Sequence, residues 1–142
     1  MACPHFHAVK PRRQTDRSRS AMLPLGDAWD GTCRAVAGAT WEPGENTLLT
    51  CCNLGYARGD CARFPCDDGP DAARFTISGD DEHAIHLYYV LERDHLPLAH
   101  GPLEFSRAEE KFTGTPTSDD VERLGRAYVQ SYLSRKAEAS AR

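Results

Sequence analysis

The sequence predicts an α+β protein with a loop-rich, cysteine-bearing N-terminal half, a small antiparallel sheet and a C-terminal helix. Three observations predict it. All six cysteines lie within the first 66 of 142 residues. The stretch Ala84 to Glu92, with Arg74 to Ser78 before it, has the β-branched and aromatic content and the alternation of strands. Val121, Leu124, Tyr128 and Tyr132 then recur at helical spacing, with Val129 and Leu133 beside them.

Residues 1–142 fit one domain, divided into a cysteine half (1–66) and a sheet-plus-helix half (67–142). The hydrophobic share is 40%, and 11 glycines bring the apolar total into the globular range. Within residues 1–40, Pro4, Pro11 and Pro24 interrupt any regular period, so this stretch reads as irregular. Lys10, Arg12, Arg13, Arg17 and Arg19 form a basic run that reads as a solvated loop. A turn from Pro24 to Gly31 is expected to deliver Cys33.

Residues 43–52 read as a short helix, with Pro43 at its first position and Asn53 and Gly55 closing it. Gly79 to Glu82 suits a hairpin between the two strands. Leu96 to Leu98 and Pro102 to Phe105 read as a third, interrupted strand, which Pro97 confines to an edge. Thr117 or Ser118 caps the final helix, Asp119, Asp120 and Glu122 complement its dipole, and residues 137–142 are expected to fray.

Seventeen Lys+Arg against 21 Asp+Glu give a net charge of −4, which disfavours nucleic acid and anionic membrane as partners. No apolar run approaches the roughly 20 residues of a membrane span. The start Met1-Ala2-Cys3-Pro4-His5-Phe6-His7 lacks the layout of a secretory signal, so a cytoplasmic location is expected.

In a reducing compartment clustered cysteines read as metal ligands or redox groups before they read as disulfides. The six are Cys3, Cys33, Cys51, Cys52, Cys61 and Cys66. Four thiolates suit tetrahedral zinc or an iron–sulfur cluster. Cys3, Cys33, Cys52 and Cys61 are separated by 29, 18 and 8 residues. Ligands dispersed over separate loops suit a 4Fe–4S cluster better than one zinc ion, which closely paired cysteines commonly hold. A Cys-Pro pair like Cys3-Pro4 also stands beside cluster ligands in bacterial ferredoxins.

The segments Cys3-Pro4-His5-Phe6, Pro24-Leu25-Gly26-Asp27, Gly31-Thr32-Cys33 and Cys52-Asn53-Leu54-Gly55-Tyr56-Ala57-Arg58-Gly59-Asp60-Cys61-Ala62-Arg63-Phe64-Pro65 carry a resemblance. Over its first half the chain resembles an uncharacterised group of small bacterial four-cysteine proteins expected to be iron–sulfur proteins. The resemblance implies the choice of Cys3, Cys33, Cys52 and Cys61 and no activity. It leaves Cys51 and Cys66 as a helix-end thiol and a loop thiol, or else as a substitute ligand or redox pair.

Other constellations are weaker. In an extended strand Cys3, His5 and His7 would share one face and suit a mixed zinc site. His86 alternates with Ile85 and Leu87 and is expected to face solvent. Asp67-Asp68 and Asp80-Asp81 lie in polar turns and read as solvated pairs. Arg58 and Arg63 bracket Cys61, where their charge would favour thiolate, and Tyr56 and Phe64 would shield a cluster from water. Phosphate-loop, dinucleotide and nucleophile-elbow motifs do not occur.

The sequence thus predicts a 4Fe–4S protein for electron transfer or redox sensing with a redox partner protein; four thiolates leave no exchangeable iron for substrate, which favours this over Lewis-acid catalysis, whereas three would restore an enzyme reading. A zinc-stabilised interaction module is one alternative. A cysteine- or cluster-dependent enzyme for a sulfur-containing or electrophilic small molecule is another.

Overall fold

The computed structural model describes residues 2–12, 24–36, 38–65, 68–114 and 118–140. Its elements are β1 (Phe6–Pro11), β2 (Trp29–Cys33), a single helical turn α1 (Glu45–Thr47) running into a π turn (Leu48–Cys52), β3 (Ala72–Asp80), β4 (Ala84–Arg93), β5 (Leu96–Ser106), β6 (Lys111–Thr113) and α2 (Asp119–Ser140). They form an α+β arrangement of two antiparallel sheets, β1-β2 and β3-β4-β5-β6, with the long helix at the C-terminal end.

Period-2 patterning builds the larger sheet. Ile85 and Leu87 of β4 are fully buried, while His86 and Tyr88, which alternate with them, are not. Register places Leu87 between Ile77 and Leu103, and Ile85 opposite Phe105. Val121, Leu124 and Ala127 of α2 join these side chains and Phe75 in one core. Burying each large side chain contributes about 1.5–3 kcal/mol. Ser118 caps α2, its hydroxyl accepting the Val121 N–H at 3.3 Å.

Several details depart from the sequence reading. The third strand is continuous over 11 residues. β6 pairs only with Glu104 to Ser106, so the part of β5 containing Pro97 is indeed a sheet edge. Helix α2 continues to Ser140 instead of fraying after Lys136, and Arg135 and Lys136 are tied down by Asp27 (3.2 Å) and Asp80 (2.5 Å). Asp80 is no solvated acid. It accepts from Tyr132 at 2.6 Å and from Arg107 and Lys136, clamping α2 to the sheet. Asp81 caps the β3–β4 turn by accepting the His83 and Ala84 N–H groups at 2.8 and 2.9 Å.

The largest correction lies before residue 40. Phe6 to Pro11 and Trp29 to Cys33 are not irregular but pair antiparallel, Phe6 opposite Cys33 and His7 opposite Thr32. Neither strand alternates cleanly in burial, so the pairing itself, more than a patterned face, makes them strands. Close approach needs Gly31: a Cβ there would stand 2.1 Å from the His7 carbonyl oxygen and 2.8 Å from the Phe6 ring. The expected helix over 43–52 also differs. It begins at Glu45 behind Gly44, not at Pro43, and after one turn widens so that the Asn53 N–H reaches the Leu48 carbonyl at 3.1 Å.

Gly31→Ala is expected to destabilise the protein by about 1–3 kcal/mol or more through overpacking of the β1–β2 ladder. Gly44→Ala, where a Cβ meets nothing within 4 Å, is expected to stay within about 0.5 kcal/mol of wild type. Urea unfolding of the two variants checks both.

Candidate functional site

Backbone hydrogen bonds carry Cys3, Cys33, Cys52 and Cys61 to their places. Ala2 bridges to Ala73 at the edge of β3 through two 2.8 Å bonds, and the Cys3 N–H then donates to the Cys52 carbonyl at 3.0 Å. The chain turns at once, the Phe6 N–H returning to the Cys3 carbonyl at 3.1 Å. Arg123 of α2 braces this turn by donating to the carbonyls of Pro4 (2.8 Å) and Phe6 (3.2 Å). Cys33 ends β2 and exchanges backbone bonds of 2.7 and 2.9 Å with Trp41. Cys61 closes a turn in which its N–H reaches the Ala57 carbonyl at 2.7 Å.

Cys52 ends the π turn, and its neighbour Asn53 locks that turn to β2. Asn53 is 1% exposed. Its side-chain carbonyl accepts the Trp29 N–H at 2.8 Å, and its amide donates to the Trp29 and Leu48 carbonyls at 3.1 and 2.9 Å. Trp29 is itself buried, its indole N–H directed at the Ser131 hydroxyl of α2 at 3.2 Å.

The four cysteines singled out from the sequence, Cys3, Cys33, Cys52 and Cys61, all line one cleft, which has about 300 Å³ of space including its mouth. Cys51 lines it too, which spacing did not single out. Cys51 and Cys52 are consecutive residues of the π turn, which nothing in the sequence marks. Cys66 lies outside the described residues, as do Arg13, Arg17, Arg19, Asp67 and Thr117. The walls are apolar, with Phe6, Ala35, Trp41, Ala57 and Phe64; His5 and Arg63 add polar groups.

Burial dominates the electrostatics. It pushes the Cys3 and Cys52 thiols up to about 12, and the neighbouring sulfurs push in the same direction. As thiols they are stable there; as thiolates they need a nearby cation. Two backbone donors are already aimed at sulfur. The Ala35 N–H donates to Cys33 Sγ at 3.4 Å, and the His5 N–H bonds the Cys3 sulfur, lowering its pKa against the burial. Each donor comes from the second residue after the cysteine, and such bonds orient and stabilise a ligating thiolate.

The side groups sort differently from the sequence reading. The turn at Pro4-His5 breaks the extended geometry that would have aligned Cys3, His5 and His7. His5 lines the cleft, edge-on to Phe64 with ring centroids 5.2 Å apart, while His7 does not line it. Among the described residues no three His, Cys, Asp or Glu side chains are grouped so as to hold a metal ion. Phe64 is a wall of the cleft as expected, but Tyr56 instead stacks on His95 and bonds Glu92. Arg58 pairs with buried Asp71 and lies 4.7 Å over Phe64. Arg63 lines the cleft with its guanidinium 4.4 Å over Trp41. His86 sits on the open face beside Asp81.

No protein-family model, curated protein or solved structure matches the chain. The functional reading therefore rests on its own residues. No described helix is long and apolar enough to cross a membrane.

Asn53→Ala strips three bonds and leaves buried Trp29 groups unpaired, so a loss of about 2–4 kcal/mol is expected in denaturant unfolding. A second expectation concerns acid. Burial, and then the charges of Arg123 and Arg34, lower His7 from 6.5 to about 4. The fold thus favours neutral His7, and that stability is complete above pH 6.5 and drains away as the pH falls toward 4. His7→Gln is expected to lose less stability than wild type between pH 7 and pH 4.5, as unfolding titrations at the two pH values would reveal.

Proposed function

We propose that this protein binds an iron–sulfur cluster of the 4Fe–4S type on Cys3, Cys33, Cys52 and Cys61 and uses it for electron transfer or redox sensing. One observation carries the reading: four cysteines spread over 59 residues of chain line a single cleft. A hydrophobic core alone has no reason to gather that many sulfurs. The buried thiols would exchange their protons for the cationic iron, which offsets the cost of burying thiolate. The N–H groups of His5 and Ala35 would tune the potential through their sulfurs, and the aromatic walls would limit water.

The choice of a cluster over one zinc ion rests on spacing. Zinc–thiolate bonds of about 2.3 Å draw four sulfurs to within roughly 3.8 Å of one another. Ligands dispersed along the chain, here 29, 18 and 8 residues apart, suit a multi-atom group better than the closely paired cysteines that commonly hold zinc. With four thiolate ligands, every iron is coordinatively filled, which favours electron exchange with a redox partner protein over Lewis-acid catalysis.

Protein purified without oxygen is expected to be brown and to hold iron and acid-labile sulfide in equal amounts, with visible absorption that bleaches on reduction. Cys3→Ser, Cys33→Ser and Cys52→Ser are each expected to lose most of both. One zinc per chain without sulfide overturns the reading in favour of a zinc module, and protein with neither metal nor sulfide after anaerobic reconstitution overturns it outright.

A further inference from the structure

Among the described residues five sulfurs, not four, line the cleft, and they differ in depth. Cys3, Cys33 and Cys52 are 7%, 8% and 5% exposed, whereas Cys51 and Cys61 are only half-buried. The two shallower sulfurs come from opposite ends of one loop. Cys51 belongs to the π turn, and Cys61 closes the turn after Gly59. Cys51 and its neighbour Cys52 both line the cleft from the π turn.

Thr50 steadies Cys51. Its hydroxyl donates to the Asn46 carbonyl at 2.7 Å and lies 3.7 Å from Cys51 Sγ.

We propose that Cys51 is an alternate ligand to the outermost iron, exchanging there with Cys61 while Cys3, Cys33 and Cys52 hold the rest. This rests on the iron–sulfur reading above. In the exchange the bond from iron to the Cys61 sulfur breaks as one to the Cys51 sulfur forms. The proton leaving the Cys51 thiol ends on the Cys61 sulfur. No electron moves, so cluster charge and oxidation state are unchanged. The chain thereby gains two bound forms that differ in whether the turn at Ala57 to Cys61 is anchored to metal, a distinction a redox partner can sense.

The test uses the full chain carrying Cys66→Ala, so that rescue can come only from Cys51, reconstituted anaerobically with ferrous iron and sulfide. Cys61→Ala, Cys61→Ser and Cys51→Ala are each expected to keep the parent's iron and sulfide content, with a shifted electron paramagnetic resonance spectrum for the two Cys61 variants. The double variant Cys51→Ala/Cys61→Ala is expected to lose about one iron in four and to give a three-iron signal when oxidised. The proposal is overturned if both Cys61 variants lose the cluster as fully as Cys3→Ala, or if the double variant matches Cys61→Ala. In either case a parent that still binds the cluster leaves the functional reading standing. A parent without iron and sulfide overturns both.

Discussion

The arrangement of the cleft depends on the side-chain amide of Asn53. It is buried with its carbonyl and amino group bonded to both backbone groups of Trp29 and to the Leu48 carbonyl. A buried amide with these partners has one low-energy orientation, because any rotation leaves a polar group unpaired in an apolar setting. It thereby fixes the end of the π turn against β2, and with it the relation of Cys51 and Cys52 to Cys33. Trp29 carries the constraint onward to α2 through Ser131. The irregular cysteine-bearing segments are thus referenced to the conventional core and do not float above it.

The C-terminal half serves as the platform. The edge of β3 receives Ala2, and Arg123 of α2 braces the turn that follows Cys3. Asp80 and its three donors keep α2 on the sheet that presents that edge. Such rigidity would suit the proposed cluster, since ligands that stay in place need little reorganisation when an electron arrives. The same construction concentrates sulfur in a poorly solvated place. Burial pushes the Cys3 and Cys52 thiols up to about 12, so they are stable there as neutral groups.

Much of the sheet and helix was legible because their signals are local. Ile85 and Leu87 alternate with outward residues, and Val121 and Leu124 sit three apart on a capped helix. The strands β1 and β2 were not legible, since Phe6 to Pro11 has no patterned face and its partner lies far along the chain. The π turn was hidden for a related reason: its wide hydrogen bond to Asn53 is stabilised by contacts with Trp29, which the local sequence does not display. The roles of Tyr56 and Arg58 were misassigned because both bind residues across the chain, Glu92 and Asp71.

By itself the sequence determined the α+β class, the long C-terminal helix, the hairpin and the confinement of all six cysteines to the first 66 residues. These depend on composition, periodicity and nearest neighbours, which a linear string records. Only the tertiary structure decided that Cys3, Cys33, Cys52 and Cys61 face one cleft, that Cys51 joins them, and that His7 does not. Those outcomes depend on long-range hydrogen bonds and on the space left by Gly31, and chain closure of that kind is set by the whole fold at once.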